Sequence, residues 1–270
     1  MIGSFTDTHC HLNLNLYQSD LVEVLERARQ QGVQRILIPG VDLVTSRRAV
    51  ELGKTDPQLF AAVGVHPNDA LSWNETSLSE LKTLADSPGV LAIGEIGLDY
   101  YRDFAPPSLQ MEIFLAQLNL AEEIQKPVVI HSRFALKELW QTLEHWHQGL
   151  IRHQSPLAAR PGVLHSYDGD LETALIAIDL GFMIGVSGPV TYKNAQDRQK
   201  LVSGLPLQAI LIETDAPYLT PHPFRGKRNE PGNVVKVAEK IAELHSLPVS
   251  TVAEITSANS DRVFGWRLID

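Results

Sequence analysis

Several features are scarce in this sequence, and each scarcity excludes a class of protein. The 270 residues include one cysteine, Cys10, so neither an intramolecular disulfide nor a cluster of thiolate metal ligands can form. No stretch approaches the ~18 consecutive apolar residues typical of a membrane-spanning helix. The initial segment M-I-G-S-F-T-D lacks the basic region and apolar run of a secretory signal. We therefore expect a cytoplasmic protein without a membrane partner, in which His, Asp and Glu bind any metal.

Positive charge is scarce as well. The chain has 23 Lys and Arg against 32 Asp and Glu, which is a formal net charge of -9. A chain with this balance has no overall basic surface that could bind nucleic acid through the release of counterions. Any nucleic-acid substrate would have to be held by local groups or by metal ions. The hydrophobic fraction of 44% is typical of a globular protein and excludes a disordered or fibrous one.

What the sequence does have is a regular alternation of apolar, β-rich runs with segments of helical periodicity. The eight runs begin at Ile2, Val33, Leu59, Val90, Pro127, Gly162, Phe182 and Ala209, and the fourth ends at Ile96. The last two helices are predicted at residues 233–245 and 249–264.

This alternation predicts the fold class. Apolar strands between amphipathic helices indicate a parallel sheet covered by helices, and eight such units predict an α/β fold, a TIM-type (β/α)8 barrel. An open doubly wound sheet is the alternative. Because no change in composition marks a linker, residues 1–270 are predicted to form a single domain.

Conspicuous polar residues lie at or near the downstream ends of these runs. They are His9, His11, His66, Glu95, His131, His165 and Asp215. In a parallel barrel these ends meet at one rim, where such folds build their active sites. Because side chains alternate along a strand, His9 and His11 are expected to point the same way and Cys10 the opposite way.

Six of these residues form a candidate metal site. Glu95 lies between glycines in an apolar run, and a buried carboxylate needs a partner such as a cation. The six nitrogen and oxygen ligands match a site for two divalent ions, Mg, Mn or Zn, roughly 3.5–4 Å apart. They are His9, His11, Glu95, His131, His165 and Asp215. Taken alone, the H-x-H pair favours a polar loop over a metal site.

A set of ordered motifs makes a family resemblance plain. The motifs are D-T-H-C-H-L, G-V-H-P, G-E-I-G-L-D-Y-Y, I-H-S-R, H-S-Y-D-G, G-V-S-G-P-V-T-Y-K-N-A, E-T-D-A-P-Y-L-T-P and P-F-R-G-K-R-N-E-P-G-N-V. Together they resemble the TatD family of metal-dependent deoxyribonucleases, which implies a TIM-type barrel and a divalent-metal hydrolase acting on DNA phosphodiesters. Matched by position, one ion is implied at His9, His11, Glu95 and Asp215. The second is implied at Glu95, His131 and His165.

The sequence departs from the pattern of that family at two single residues and in one motif. Phe134 stands where an acidic residue is frequent, and Asn68 stands where a second His is frequent. The motif H-S-Y-D-G replaces the common H-C-F-S-G. These changes are next to the predicted ligands and replace none of them, so they bear on substrate preference.

The remaining roles are assigned from position. Asp215 is predicted to be the base that takes the proton of the attacking water. The alternative is that Asp215 is a metal ligand alone. Glu95 is predicted to act beside it as the bridging carboxylate. Glu213 shares a strand face with Asp215, and it either supports the metal site or forms a buried ion pair. Outside the site, His145, His147 and His153 are expected on the solvated surface.

The predicted substrate contacts are His66, Arg133, Arg225, Lys227 and Arg228. The last three form the densest basic cluster of the chain, in a Pro/Gly-rich loop next to Asp215, and could hold a substrate phosphate. The alternatives are a solvated run of charges paired with Glu230 and, for His66, a loop-capping histidine.

These observations lead to one predicted function and two alternatives. The first is a metal-dependent deoxyribonuclease, either an exonuclease or a nonspecific nuclease, acting on single-stranded DNA or on DNA ends, with no obligatory protein partner. The second is an amidohydrolase-type ester or amide hydrolase, such as a D-aminoacyl-tRNA deacylase. Amidohydrolases commonly bridge their ions with a modified lysine on the fourth strand, where this chain has Glu95. The third is a binding module that holds metal and catalyses nothing.

Overall fold

Eight parallel strands surround the centre of the molecule. The computed structural model describes residues 4–266, so the predicted start of the first strand at Ile2 lies outside the described residues. The strands are β1 (Phe5–Asp7), β2 (Val33–Pro39), β3 (Leu59–Val63), β4 (Val90–Asp99), β5 (Val128–Arg133), β6 (Gly162–Leu164), β7 (Met183–Val186) and β8 (Ile210–Ile212). Each strand is hydrogen-bonded to the next one along the chain, in the order β1 to β8.

The two outer strands of this order meet, so the sheet is nearly closed. The backbone N–H of Thr8 donates to the carbonyl of Ile212 at 3.1 Å, and that of Asp215 donates to the carbonyl of His9 at 2.9 Å. A parallel bridge joins Cys10 to Ala216. The predicted TIM-type (β/α)8 barrel is therefore confirmed, and residues about 200 positions apart in sequence become neighbours.

Nine α-helices cover the outside of the barrel within the described residues. They are α1 (Leu21–Gln30), α2 (Leu43–Thr55), α3 (Ser77–Ala85), α4 (Pro107–Glu123), α5 (Leu136–Arg152), α6 (Leu171–Asp179), α7 (Gln196–Gly204), α8 (Val234–His245) and α9 (Val249–Phe264). The last two agree with the predicted helices to within one residue. None of the helices between residues 4 and 266 combines the length and the apolar character needed to cross a membrane.

The barrel interior is apolar at the amino ends of the strands. A buried cluster takes side chains from β2 to β8, including Leu37, Phe60 and Leu211, and is distinct from the larger core between strands and helices. Phe264, at the end of α9, belongs to the same cluster, and the ring of Trp266 lies 4.8 Å from that of Phe60. The apolar filling at this end leaves the opposite, carboxyl end for polar groups.

The prediction that His147 lies on the solvated surface is wrong. This residue lies on the inner face of α5 together with Leu143, Trp146 and Leu150, and it is 5% exposed. Its Nε2 atom lies 3.0 Å from the carbonyl oxygen of Ala158. The helical period places it on the buried face, so its role is to satisfy a carbonyl group in the packed interior.

Candidate metal centre

The structure brings the six predicted ligands together at the carboxyl ends of the strands. They reach this rim from β4, from β5 and from the segments that follow β1, β6 and β8. Three overlapping sets have ligand atoms within 4.8 Å of one another: His9, His11 and Asp215; His9, Glu95 and His165; and His66, Glu95 and His131. The predicted convergence on one rim is observed, and the role of each residue as a ligand stays a prediction.

His9 and His11 face the same space, as the alternation of side chains predicts. Their Nε2 atoms are 3.2 Å apart. Oε2 of Glu95 lies 3.3 Å from the Nε2 atom of His9 and 3.6 Å from that of His11. Oδ1 of Asp215 lies 3.4 Å from the same atom of His11. Cys10, between the two histidines, points into the apolar core.

The other oxygen of Glu95 faces a different set of histidines. Oε1 lies 3.0 Å from Nδ1 of His131, 3.6 Å from Nε2 of His66 and 3.9 Å from Nε2 of His165. The two oxygens of one carboxylate thus point at two groups of imidazoles. This is the arrangement that a carboxylate bridging two cations requires.

The electrostatics of the site fit divalent cations. Burial would by itself raise the pKa of Glu95 and Asp215, yet the surrounding histidines lower the pKa of both carboxyls, so both are anionic. Burial opposes a charge on His131 and His165 as well, but neighbouring carboxylates raise their pKa values to about 9 and about 10. Protons here occupy positions that cations could take. Imidazole and carboxylate ligands without sulfur suit Mg, Mn or Zn.

Asp99 orients His131, and it was not among the predicted site residues. Its Oδ2 atom lies 3.3 Å from Nε2 of His131, and its Oδ1 atom accepts hydrogen bonds from the backbone N–H groups of Tyr101 and Arg102. Burial raises the pKa of Asp99, but the hydrogen bonds from His131, from the backbone of Arg102 and from Asn68 together outweigh burial and lower that pKa to about 2. An anionic acceptor keeps a proton on Nε2 and leaves Nδ1 of His131 facing Glu95.

Glu213 orients His165 in the way that Asp99 orients His131. It is fully buried, and its Oε1 atom lies 2.9 Å from Nδ1 of His165 and accepts the backbone N–H of Ser166. Nε2 of His165 is thereby directed towards the centre, 3.8 Å from Oδ1 of Asp215. Of the two roles weighed for Glu213, the geometry favours support of a ligand, through a contact that is also an ion pair.

Asp7 ties the ends of β1 and β8 together beneath the site. Its Oδ1 atom accepts the backbone N–H groups of His9 and Thr214, and its Oδ2 atom accepts the hydroxyl of Thr214. Complete burial raises the pKa of Asp7 to about 8. This carboxyl therefore fixes the backbone positions next to His9 and Asp215. The sequence gives little sign of this role, because the partner lies 207 residues away.

The ring proton of His66 lies on the nitrogen that faces Glu95. The backbone N–H of Asn68 donates to Nδ1 of His66 at 3.0 Å, so the proton of the neutral ring is on Nε2. Burial lowers the pKa of His66 to about 3, which keeps the ring neutral. A metal ligand needs a free lone pair on the nitrogen that faces the ion. The Nε2–H group instead makes His66 a hydrogen-bond donor to whatever occupies the centre.

The four predicted cationic contacts have different surroundings. The guanidinium of Arg133 lies 3.8 Å from the ring centroid of Tyr101, and that of Arg225 lies 4.1 Å from the ring centroid of Tyr192. Lys227 is exposed.

Arg228 is held by the protein itself. Its guanidinium pairs with both carboxylate oxygens of Asp20 and, at 3.4 Å, with Glu230. The paired arrangement with Glu230, weighed above as the alternative, is thus present. Substrate contact by all four cationic residues stays a prediction.

Comparison with known proteins agrees with the geometry. The family model of the TatD-related DNases matches residues 6–265. YabD of Bacillus subtilis, an uncharacterized metal-dependent hydrolase, is 42% identical over 96% of this chain and 98% of its own length. The 3'-5' ssDNA/RNA exonuclease TatD of Edwardsiella piscicida is 34% identical over 96% of this chain and 98% of its own.

A solved structure shows the same fold. YjjV, the TatD homologue of Escherichia coli K12, aligns with a TM-score of 0.88 and 33% identity, covering 98% of this chain and 99% of its own. Together with the family match, this likeness extends over nearly the whole described structure. The chain belongs to the TatD family of metal-dependent hydrolases.

Proposed function

We propose that this protein cleaves phosphodiester bonds of single-stranded DNA as an exonuclease that depends on two divalent metal ions. The observation that carries the proposal is the position of Glu95, whose two oxygens face separate groups of histidines. A relative that is 34% identical is a 3'-5' exonuclease for single-stranded DNA and RNA, which supports this substrate class.

The ligands divide into two sets that share Glu95. His9, His11, Glu95 and Asp215 would hold one ion, and Glu95, His131 and His165 would hold the other. When bound, two such ions neutralise phosphate oxygens, make a water molecule more acidic and stabilise the leaving oxygen. On a protein of net charge -9, this local positive charge is what attracts a polyanion.

Asp215 is the proposed general base. Its side chain is 15% exposed, whereas that of Glu95 is 4% exposed, so Asp215 is the more accessible of the two site carboxylates to a water molecule. The neighbouring histidines keep it anionic, as a proton acceptor must be. The attacking water would transfer its proton to this carboxylate as its oxygen approaches phosphorus.

His66 and Arg133 are two of the proposed substrate contacts. The Nε2–H group of His66 is fixed as a donor by the Asn68 contact, and an anionic phosphate oxygen is a suitable acceptor. Arg133 ends β5, two residues after His131, and would bind the next phosphate along the strand. Both contacts orient the phosphodiester for attack in line with the leaving oxygen.

A substrate panel tests the proposal. The metal-free protein is reloaded with Mg, Mn or Zn and offered single- and double-stranded oligonucleotides, a nitrophenyl phosphodiester and an aminoacyl ester. We expect stepwise release of mononucleotides from single strands. His131→Ala should abolish this release, and His153→Ala should not, because His153 is an exposed residue paired with Glu122 away from the site.

Three outcomes would contradict the proposal. Ester turnover that exceeds DNA cleavage would favour the amidohydrolase-type alternative. Full metal occupancy without turnover of any substrate would favour the binding module. Fragments from internal cleavage, without terminal mononucleotides, would refute the exonuclease assignment and leave the phosphodiesterase chemistry intact.

A further inference from the structure

All four exposed aromatic side chains of the described residues lie on the rim that carries the candidate metal centre. Tyr101 and Phe104 follow β4, Phe134 follows β5, and Tyr218 follows β8. Their exposed fractions range from 51% for Tyr101 to 77% for Phe134. Large apolar side chains in water are unfavourable, so their restriction to one rim indicates a surface that contacts a ligand.

Three of these rings and two arginines form one cluster, which we call the aromatic platform. The rings of Tyr101 and Phe134 have centroids 5.3 Å apart and are tilted by 36°. The guanidinium of Arg133 lies 3.8 Å from the Tyr101 centroid, and that of Arg102 lies 5.9 Å from the Phe104 centroid. Neither guanidinium forms an ion pair with a carboxylate in the part of the chain that the structure describes.

The platform is attached directly to the centre. The backbone N–H groups of Tyr101 and Arg102 donate to Asp99, the residue that contacts His131. In the sheet, Arg133 is paired in register with Asp99. A ligand on the platform would therefore lie next to a phosphate held at the centre.

Phe134 also has an unfavourable backbone conformation. Its φ angle is +55°, in the left-handed region that bulky side chains rarely adopt. Strain of this kind persists where the surrounding structure holds it, and it is concentrated at ligand-binding sites. The strained residue here is the most exposed aromatic side chain on the rim.

We propose that the aromatic platform stacks the bases of a single-stranded DNA substrate next to the scissile phosphate, while Arg102 and Arg133 bind the adjoining phosphates. Aromatic faces and arginines together are the usual means of binding single strands, because every base offers a face for stacking and every nucleotide a charge. A base-paired strand keeps its bases stacked inside the duplex, so the platform selects single strands. This inference rests on the proposed function.

The test compares two oligonucleotides that differ in their bases alone. One is an ordinary single strand, and the other carries abasic sugars at the nucleotides next to the cleaved bond, with the same phosphates. Phe134→Ala should raise KM for the ordinary strand on the order of 10-fold and leave KM for the abasic strand unchanged. Phe134→Trp, which retains a stacking surface, should keep the wild-type KM.

Ile151→Ala is the matched control, because it truncates another exposed apolar residue at the far end of α5. It should change neither KM. If Phe134→Ala leaves KM for the ordinary strand unchanged, the platform proposal is overturned. Cleavage of that strand by the wild-type protein would still support the proposed function. An equal rise in KM for both strands would also overturn the claim that Phe134 stacks on the bases. If the wild-type protein cleaves neither strand, the proposed function and the platform both fail.

Discussion

Replacing Asp99 with Asn tests how His131 is oriented. The Asp99 carboxylate meets four hydrogen-bond donors: Tyr101 N and Arg102 N at Oδ1, and Asn68 Nδ2 and His131 Nε2 at Oδ2. The side chain of Asn has one oxygen and one NH2 group. In either orientation, the NH2 group would therefore face two donors.

The expected loss follows from the tautomer of His131. If the NH2 group faces Nε2, the ring proton moves to Nδ1, which lies 3.0 Å from Glu95 and is then no longer free to bind a cation. Loss of such an outer partner weakens metal binding by about 10- to 100-fold, or about 1.4 to 2.7 kcal/mol. The ion at His9 and His11 should retain its affinity, because Asp99 contacts neither residue.

Calorimetric titration of the metal-free protein with Mn²⁺ measures both affinities. We expect Asp99→Asn to weaken one of two binding events and to lower turnover with it. Glu138→Gln is the matched control, since this carboxylate accepts the hydroxyl of Tyr100 on the same rim without touching a ligand. Adding Asp99→Asn to His131→Ala should have no further effect. Two unchanged affinities in a folded Asp99→Asn variant would show that Asp99 does not control the orientation of His131.

Three further predictions concern pH, packing and charge. Neighbouring carboxylates overcome burial and raise the pKa values of His131 and His165 to about 9 and about 10, so an ion held by both must displace two protons below pH 9. Its affinity should rise about 100-fold per pH unit from 6 to 8, and a flat calorimetric profile would contradict this. Gly185→Ala places a Cβ atom 2.7 Å from the Glu213 carboxylate. Denaturation curves should show that the free energy of unfolding falls by about 1 to 3 kcal/mol, and an unchanged midpoint would count against the contact. Arg228→Ala should raise KM for oligonucleotides less than Arg133→Ala does, because Arg228 is already paired with Asp20 and Glu230. A larger rise in KM for Arg228→Ala in steady-state kinetics would disprove this.

The barrel and its polar rim are predictable from the sequence. Parallel strands buried on both faces need near-continuous apolar runs, and eight such runs separated by helical periods leave few other folds. The fold then brings the strand ends together, so residues as distant as His9 and Asp215 could be assigned to one site. The spacing of His9 and His11 predicts that their imidazoles face the same way, and their Nε2 atoms are 3.2 Å apart.

The role of Asp99 is not predictable in the same way. The predicted fourth strand ends at Ile96, whereas β4 continues to Asp99 because its pairing with β5 continues. The register shifts between Ile93 and Ile96, so the alternation of side chains is interrupted beside Glu95. A bulge depends on the partner strand, and the sequence of one strand does not show it.

Long-range contacts explain the other residues that sequence reasoning missed or left open. Asp7 acts through Thr214, far along the chain. Arg228 is paired with Asp20, more than 200 residues away. Contacts of this kind follow from the closed barrel, and local sequence patterns carry no sign of them.

The central claim is that Glu95 bridges two divalent ions. Anomalous diffraction from crystals loaded with Mn²⁺ tests it most directly. We expect two peaks roughly 3.5–4 Å apart. One should contact His9, His11 and Asp215, the other His131 and His165, and both should contact Glu95. A single peak, or two peaks of which one has no contact with Glu95, would show that Glu95 does not bridge two ions.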